Sequence, residues 1–391
     1  TTTDFTADDV SLTDGSLSSF EGTGTTYTAT YTPASGGEKT IQVTAGKFTD
    51  YSGNKNVASD VFNWTYLEKF VSVWKVGTVG YGDADRTVKL PLISGGTYDF
   101  DIVWEAGGDT ERITSWNQDE VTHAYSSDGD KTITIGGTNH TIVGWKFNND
   151  SNLDKDKITT ISNWGTLNIS TSHAFYGCSK LNVTANNAPT VSATSFDEMF
   201  RDCTALISIG GTWDVSNVTN MTEVFHSCTN FNGDISEWNT SKVTNFTQAF
   251  DSATNFNQDI GDWDMSATTS TFRMFRSATN FNQDIGAWDM SSNTYVVEMF
   301  KGCGEFNNGG SDTINNWNVA EVTTMQSMFA TCAKFNQPLN SWNTSSVTRM
   351  DNMFTNAAIF NQSLNSWNTA AVTSMYQMFL SATAFNQNIT S

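Results

Sequence analysis

The chain has 391 residues, which suffices for two or three domains, since globular domains usually hold ~100 to 200 residues each. Its 41 acidic and 20 basic residues give a formal net charge of −21, which repels phosphate backbones and anionic lipid headgroups, so we expect no nucleic acid partner and no membrane-surface partner. No stretch approaches the ~18 to 20 apolar residues of a membrane span and no signal peptide begins the chain, so we interpret it as mature or shortened.

Residues 1–66 carry short runs of Thr, Tyr, Val and Ile between Gly and Asp turns, which predicts antiparallel strands near 26–33 and 40–44. The stretches FTADDVSLTDGSLSSF (5–20), YTATYTP (27–33) and VTAGKFTDYSGNKN (43–56) resemble the second half of a bacterial immunoglobulin-like module. The opening strands of that family have no counterpart here. Either the domain is shortened, or a neighbouring molecule supplies the missing strands to an open sheet edge.

Residues 67–159 predict a second β-sandwich, with strands near 69–76, 87–92, 97–104 and 131–135. YDFDIVWEAGGDTERITSW (98–116) and VTHAYSSDGDKTITI (121–135) resemble a PKD-type sandwich, although the W-G-D-G turn of that family is altered here. Asp109, Glu111, Asp119 and Glu120 lie in polar turns, and no nucleophile, base or pocket accompanies them. We therefore expect no catalytic residues and a protein that is not an enzyme.

The loop after residue 147 is rich in oxygen donors, because Asp150, Asn152, Asp154 and Asp156 alternate along it. An EF-hand loop needs glycine at its sixth position and glutamate at its twelfth, and this chain has lysine and isoleucine there. Two interpretations stay open: a surface calcium site and an ordinary solvated turn. Calcium is the only cofactor that the sequence suggests.

A repeat occupies more than half of the chain. Its period is 25 residues with one step of 29, and it is marked by Phe175, Phe200, Phe225, Phe250, Phe275, Phe300, Phe329, Phe354 and Phe379. A fixed period between 20 and 50 residues predicts a solenoid, in which each unit buries its apolar face against its neighbours. We therefore expect about nine stacked coils over residues 160–391.

Within one unit, Met221, Val224, Phe225, Cys228 and Phe231 stand at offsets 0, 3, 4, 7 and 10, which is the spacing of one helix face. This spacing predicts a short helix in every coil. One short strand per coil is expected either at 234–238 or near 243, and the periodicity does not choose between them. The fold class expected for residues 160–391 is therefore an α/β solenoid.

The five cysteines all follow a repeat phenylalanine by three residues, and alanine fills that position in other units. A position that accepts Ala or Cys needs a small apolar side chain, so we interpret these cysteines as buried free thiols rather than disulfides or metal ligands.

Two polar residues also recur with the period. A threonine precedes the expected helix in eight units: Thr194, Thr219, Thr244, Thr269, Thr294, Thr323, Thr348 and Thr373. Its hydroxyl would serve as an N-cap of that helix. The alternative is that the threonines form an exposed recognition plane, such as an ice-binding surface. An asparagine follows the apolar run, where stacked amides would satisfy turn backbone groups: Asn232, Asn257, Asn282, Asn307, Asn336, Asn361 and Asn386.

The stretches VTNMTEVFHSCTNFN (218–232), FNQDIGDWDMS (256–266), FNQSLNSWNTA (360–370) and HAFYGCSKL (173–181) resemble a bacterial surface-protein repeat of about 26 residues, a relative of BspA-like leucine-rich repeats. The resemblance implies a leucine-rich-repeat-like fold in a secreted or surface-anchored protein. It implies roles in adhesion and interaction, and it supplies no catalytic residues.

The four residues added to the longer step fall within NNGGSDT (307–313), and insertions in solenoids often form loops on the binding face. We therefore predict an interaction loop at Asn307, Asn308, Ser311 and Asp312. The last unit stops before its next tryptophan, which predicts either further sequence or a partner that covers the coil end.

Taken together, these patterns predict a partial immunoglobulin-like sandwich (1–66), a PKD-like sandwich with a connecting loop (67–159) and a leucine-rich-repeat-like α/β solenoid (160–391). The expected function is a non-enzymatic extracellular or cell-surface adhesion or interaction protein that recognises a protein or glycan on a cell surface. The alternative is a structural subunit of a filament, sheath or virion fibre, assembled from copies of itself through the open sheet edge and the uncapped coil.

Overall fold

The computed structural model describes residues 2, 4–147 and 153–389. These residues form two compact units, one from residues up to 69 together with 136–138, the other from residues 70–135 and from 139 onwards. Regular secondary structure in this part of the chain is β, apart from five short 3₁₀ helices. The expected α/β class is therefore wrong, because the described coils contain no α-helix.

The first unit has a 3₁₀ turn at Ala7–Asp9 and five strands: β1 (Val10–Leu12), β2 (Ser16–Thr23), β3 (Thr26–Thr32), β4 (Gly37–Val43) and β5 (Phe62–Tyr66). One antiparallel sheet has the order β1-β4-β5, and β2 pairs with β3 in a second sheet. Strands β3 and β4 confirm the two strands that the sequence predicted here.

An aromatic cluster provides the interior of the first unit. The Phe5 ring lies 5.4 Å from that of Phe20, 4.9 Å from Tyr27 and 4.7 Å from Phe48. Lys39 of β4 is also buried, and its ammonium lies 2.7 Å from the Asp14 carboxylate. Hydrogen bonds from Lys39, Ser35 and Ala34 lower the pKa of Asp14 well below its ordinary value, so this pair remains ionised over a wide range of pH.

The second unit begins with a six-stranded sheet. The strands of the second unit are β6 (Phe70–Val76), β7 (Thr87–Lys89), β8 (Leu92–Val103), β9 (Thr110–Ile113), β10 (Thr122–Ala124), β11 (Gly129–Trp145), β12 (Ile158–Asn163), β13 (Asn168–Ile169), β14 (Asn182–Val183) and β15 (Thr190–Val191). The sheet order is β14-β12-β6-β11-β8-β9, while β7 pairs with β10 and β13 with β15. Strands β12 and β14 lie in the first coils, so the middle segment and the coils share one sheet.

From Ser195 onwards, each coil forms a single parallel β-bridge with the next at equivalent residues, for example Asn220 with Asn245. This bridge lies closer to the second of the two predicted strand positions, but it does not extend into a strand. The six-stranded sheet thus continues into a stack of coils in which the β pairing is reduced to one bridge per step.

The residues predicted to form a helix form tight turns instead. The N–H of Cys228 bonds to Phe225 O three residues back at 3.1 Å, but the N–H of Phe225 crosses to Ala249 O of the next coil at 2.9 Å. Glu223 and Ser227 have left-handed backbones, with φ of 51° and 59°. Because alternate N–H groups bond between coils, an α-helical ladder cannot form, although the spacing of three and four still turns the same side chains inward.

The core of the coil stack is a column of parallel rings. Phe275 stacks on Phe250 at 5.5 Å and on Phe300 at 5.7 Å, and it lies 4.0 Å from Phe281 of its own coil. All five cysteines are buried free thiols, as predicted, and burial raises the pKa of each. Four of them donate to a carbonyl of the preceding coil, as Cys303 does to Phe275 O at 2.7 Å.

Candidate interaction surface

Two outward rows of the coil stack, one of threonines and one of asparagines, use their polar atoms to join coils. The Thr219 hydroxyl donates to Thr194 O at 3.1 Å, and the bond recurs along the threonine row, so the N-cap interpretation is wrong because there is no helix to cap. In the asparagine row the N–H of Asn257 donates to Asn232 Oδ1 at 2.9 Å, and this bond also repeats. The structural interpretation of the asparagines is thus confirmed, although their side chains are half-buried or exposed rather than buried.

Two outward positions differ from these uniform rows, because their residues change from coil to coil. They stand two residues before and one residue after the repeat phenylalanine. We call the following ten residues the variable strip: Glu198, Arg201, Glu223, His226, Gln248, Asp251, Arg273, Arg276, Glu298 and Lys301.

Ion pairs run along the variable strip from coil to coil. Arg201 bonds to Glu223 of the next coil. Arg273 Nε lies 2.7 Å from a carboxylate oxygen of Glu298, and Lys301 Nζ lies 2.8 Å from the other oxygen. Burial alone would raise the pKa of Glu298, but Lys301 and Arg273 reverse the shift and lower it, so this carboxylate stays ionised between two cations.

The variable strip also contains polar atoms that are buried without an aligned hydrogen bond. Six such side-chain atoms occur in the described residues, and four of them stand at one position of four successive coils: Arg201 Nε, His226 Nδ1, Asp251 Oδ2 and Arg276 Nε. Arg276 Nε lies 2.9 Å from Asp251 Oδ2, so these two atoms form an ion contact, but its geometry is not that of a hydrogen bond. The position one residue after the phenylalanine therefore contains polar atoms without aligned hydrogen bonds, whereas Arg273 and Lys301 both make hydrogen bonds to Glu298.

The predicted interaction loop folds largely into the coil stack as two 3₁₀ turns, Asn308–Gly310 and Asp312–Asn316. Asn307 is a member of the asparagine row. Asn308 is fully buried, since its amide donates to Ser311 O at 2.9 Å and its Oδ1 accepts from Ile285 N at 3.0 Å. Ser311 is half-buried and Asp312 is exposed, so Asp312 is the predicted interaction residue that a partner reaches most readily.

A buried lysine organises the acidic residues near the predicted calcium loop. Asp83, Asp85 and Asp154 place carboxylate oxygens within 4.8 Å of one another. The Lys157 ammonium lies 2.6, 2.6 and 2.7 Å from these three carboxylates, and it donates to Thr87 O at 2.9 Å. The lysine thus occupies the place that a cation would take between the three carboxylates.

The structure separates the two described members of the predicted calcium site. Asp154 contacts Lys157 and accepts from Lys89 N at 2.6 Å, whereas Asp156 accepts from Ser179 Oγ at 2.6 Å. Asp150 and Asn152 lie outside the described residues. A calcium ion would have to compete with Lys157 for Asp154, and the site stays a prediction.

The four acidic residues weighed as a catalytic set have ordinary surroundings. Glu111 accepts from Trp104 Nε1 at 2.8 Å, and Asp109, Asp119 and Glu120 are exposed. Sequence reasoning missed the variable strip and the Lys157 cluster. A comparison of the outward positions between repeats could have found the strip, whereas the cluster joins segments about 70 residues apart, as the Lys157 to Asp85 bond shows, and left no local signal.

Comparison with known proteins finds two family models that match parts of the chain. A family model described as "Mycoplasma protein of unknown function, DUF285" matches residues 141–209, 194–313 and 308–391. A second model, described as a bacterial Ig-like domain, matches residues 1–66. No curated protein and no solved structure matches the chain. The resemblances to PKD-type sandwiches and to BspA-like leucine-rich repeats stay predictions.

Proposed function

Because this chain belongs to the DUF285 family and carries a bacterial Ig-like domain ahead of its repeats, we propose that it is a surface-exposed, non-enzymatic interaction protein. The coil stack is its recognition element, and a protein or glycan on a cell surface is its partner. A stack of like coils presents a long, regular surface, as repeat proteins that bind partners do.

The observation that carries this proposal is that some outward rows of the coils are constant in sequence while the variable strip is not. The threonine and asparagine rows repeat one hydrogen bond from coil to coil, whereas the variable strip holds Glu, Gln or Arg at one position and Arg, His, Asp or Lys at the other. Uniform rows suit a scaffold, and a row that varies on a rigid scaffold suits recognition. An extracellular location fits this role. In the described part of the chain, no helix has the length and apolar character needed to cross a lipid bilayer.

The test uses the full chain, fluorescently labelled, on cell surfaces and on glycan arrays. We expect saturable binding that is blocked by an antibody fragment directed at the coils and unaffected by a fragment directed at residues 4–66. Binding that only the second fragment blocks, or no saturable binding on any of these surfaces, would contradict the proposal.

A second candidate function is that of a structural subunit that assembles from copies of itself. It is favoured by β5, which lies at the edge of its sheet and leaves Phe62 65% exposed. An edge strand with an exposed aromatic side chain can pair with a strand of another molecule. Light scattering over a range of concentrations tests this candidate, since growth of the mean mass with concentration is expected and a constant monomer mass would rule it out.

A further inference from the structure

We propose that a cavity beside Trp238 binds a neutral hexose residue of a glycan. This inference rests on the proposed function, and it names the chemical class of the partner and a site on the coil stack that is separate from the variable strip. Three features support it: an indole N–H without an acceptor, the glycine pair that leaves it so, and the polar groups around the cavity.

The tryptophans of the later coils use their indole N–H groups to join coils. In five of them the N–H donates to a carbonyl of the preceding coil, as Trp263 does to Ile235 O at 3.1 Å. Trp238 stacks on Trp263 at 6.1 Å and belongs to the same row, but its Nε1 donates to no residue of the described chain. The acceptor for Trp263 stands 28 residues before it, and the equivalent residue for Trp238 is Gly210, which lines the cavity.

The unpaired N–H of Trp238 is open to this cavity. The residue is only 5% exposed, so the ring is held in place by the core. Its Nε1 is not one of the six fully buried atoms without a hydrogen bond, so the exposed part of the side chain includes this atom. Because Trp238 lines the cavity, a molecule there can accept from the indole.

A pair of glycines removes the acceptor that the other coils provide. Gly210 and Gly211 have positive φ angles of 71° and 29°, and a Cβ on Gly210 would lie 2.4 Å from Ala185 O, so only glycine fits this turn. In the turn it is the Ile209 carbonyl that accepts from an indole, that of Trp164 at 2.8 Å. The tryptophan of the next coil is consequently left with a cavity where its row has a carbonyl.

The cavity has the size of a site for one small ring. Its volume is about 280 Å³, close to the lower end of the ~300 to 1,000 Å³ that is usual for small-molecule sites. Besides the glycine pair and the indole, its lining includes two apolar and four polar side chains: Ile209, Ile235, Ser208, Thr212, Asp234 and Glu237.

Two carboxylates in this lining have oxygens that accept no hydrogen bond. The N–H and the hydroxyl of Ser236 both donate to Asp234 Oδ1, at 3.0 and 2.8 Å, and leave Oδ2 without a donor. These bonds lower the pKa of Asp234, so its carboxylate is ionised at neutral pH. Glu237 is exposed and makes no hydrogen bond or ion pair within the described residues. The cavity therefore combines one indole donor with two carboxylate acceptors.

This combination favours a ligand that carries several hydroxyl groups. A hydroxyl can accept from Trp238 and donate to a carboxylate with the same oxygen. An ammonium group only donates, so it would leave the indole unpaired, and an anionic group is repelled by Asp234 and Glu237 on a chain of net charge −21. A peptide amide has a single N–H for two carboxylates. A hexose has hydroxyls on adjacent carbons, and its C–H groups can pack against Ile209 and Ile235.

The experiment measures binding of methyl glycosides to the full chain by saturation-transfer NMR. The probes are the methyl glycosides of glucose, galactose and mannose. The methyl glycoside of sialic acid tests an anionic sugar, and N-acetyl-lysine methylamide tests a cationic peptide unit. We expect saturable binding of at least one hexoside, with the sialoside and the lysine derivative at least about tenfold weaker, the factor that one lost hydrogen bond to a charged group implies.

Trp238→Phe removes the N–H and keeps an aromatic ring, and Trp288→Phe is its matched control two coils away. The Trp288 N–H bonds to Ile260 O at 2.9 Å, so the control should lower the midpoint of urea unfolding more than Trp238→Phe does. We expect about two- to tenfold weaker hexoside binding for Trp238→Phe, the factor of one neutral hydrogen bond, and unchanged binding for Trp288→Phe.

Glu237→Gln removes a carboxylate of the cavity, and Asp262→Asn is its control at the same position of the next coil. Both side chains are exposed and unpaired in the described part of the chain, so both variants should fold. We expect about tenfold weaker hexoside binding for Glu237→Gln and no change for Asp262→Asn.

Three results would overturn the inference: no saturable binding of any hexoside, tighter binding of the sialoside or the lysine derivative, or unchanged hexoside binding by Trp238→Phe. If the Trp238 and Glu237 variants still bind cell surfaces as the unaltered chain does, the inference also fails and the proposed function stands. If the unaltered chain binds hexosides but neither a cell surface nor a glycan array, the proposed function fails by itself.

Discussion

Replacing Lys157 with methionine removes the cation that three carboxylates share. Methionine keeps much of the apolar stem, so the change isolates the charge. The Lys157 side chain is fully buried and Asp154 is 8% exposed, whereas Asp83 and Asp85 are 31 and 46% exposed. Breaking a buried pair from one side costs about 3 to 5 kcal/mol, while each of the two solvent-screened contacts adds about 0 to 1 kcal/mol. We therefore expect the free energy of unfolding to fall by about 3 to 7 kcal/mol.

The assay combines urea unfolding of the full chain with hydrogen exchange of β6 and β12. Exchange should accelerate in these strands, because Lys75 N–H bonds to Lys157 O at 2.7 Å and Ile158 is paired with Trp74. Lys334→Met is the matched control at an exposed site. Adding Asp154→Asn to the Lys157 variant should recover part of the loss, since the amide oxygen can still accept from Lys89 N without a stranded charge.

The same cluster predicts a dependence on pH and on calcium. Burial would raise the pKa of Asp85, but hydrogen bonds from Lys157 and Thr87 lower it to about 2, so its contribution to stability is present above the ordinary pKa of 3.8 and is lost as the pH falls towards about 2. The methionine variant should lack this contribution, and calcium should stabilise the variant more than the unaltered chain because the carboxylates lose their resident cation. A stability loss no larger than that of Lys334→Met would refute the reasoning.

Four further outcomes are expected. Asp14→Asn should remove part of the acid sensitivity of the first unit. The pKa of Asp14 is lowered, so the contribution of its carboxylate to stability is lost as the pH falls below the ordinary value of 3.8. An acid transition that stays unchanged in circular dichroism would contradict this. Phe275→Ala should lower the free energy of unfolding in urea by about 3 to 5 kcal/mol. The loss should be smaller for Phe379→Ala in the last described coil, because that ring is only partly buried. Equal losses would disprove the role of the stacked rings. Asn308→Ala should cost about 1 to 3 kcal/mol by leaving Ile285 N without an acceptor, whereas Asp312→Ala should have little effect, and the reverse order would show that the insertion does not fold inward. Calorimetry of the intact chain with calcium tests the loop at 150–156, and the absence of binding heat at millimolar metal would rule that site out.

The burial pattern of the coils could be predicted because it follows from the repeat alone. A residue type that returns every 25 positions with its apolar character intact must face the interior in each coil, so Phe225 and Cys228 are buried as expected. The strands of the first two segments could also be predicted, since β3 and β6 alternate apolar and polar residues between turn residues.

The backbone conformation of the coil could not be predicted, because an α-helix and a series of tight turns both place residues three and four apart on the same side. Whether the Phe225 N–H bonds within its coil or to Ala249 of the next one depends on the neighbouring coil, which a local pattern does not contain. The inward fold of Asn308 could not be predicted either, because its partners lie in the preceding coil: its amide donates to Asp284 Oδ1, and its Oδ1 accepts from the buried Ile285 N.

The sequence by itself determined that the chain repeats, which side chains of each repeat form the core and that its cysteines are free, because these properties depend on composition and period. Only the tertiary structure decided how the backbone closes each coil and which outward row contains buried polar atoms without an aligned hydrogen bond. It also decided that Lys157 lies among Asp83, Asp85 and Asp154. Each of these depends on contacts between residues far apart in the chain, and the free energy of such contacts is set by geometry that no single segment specifies.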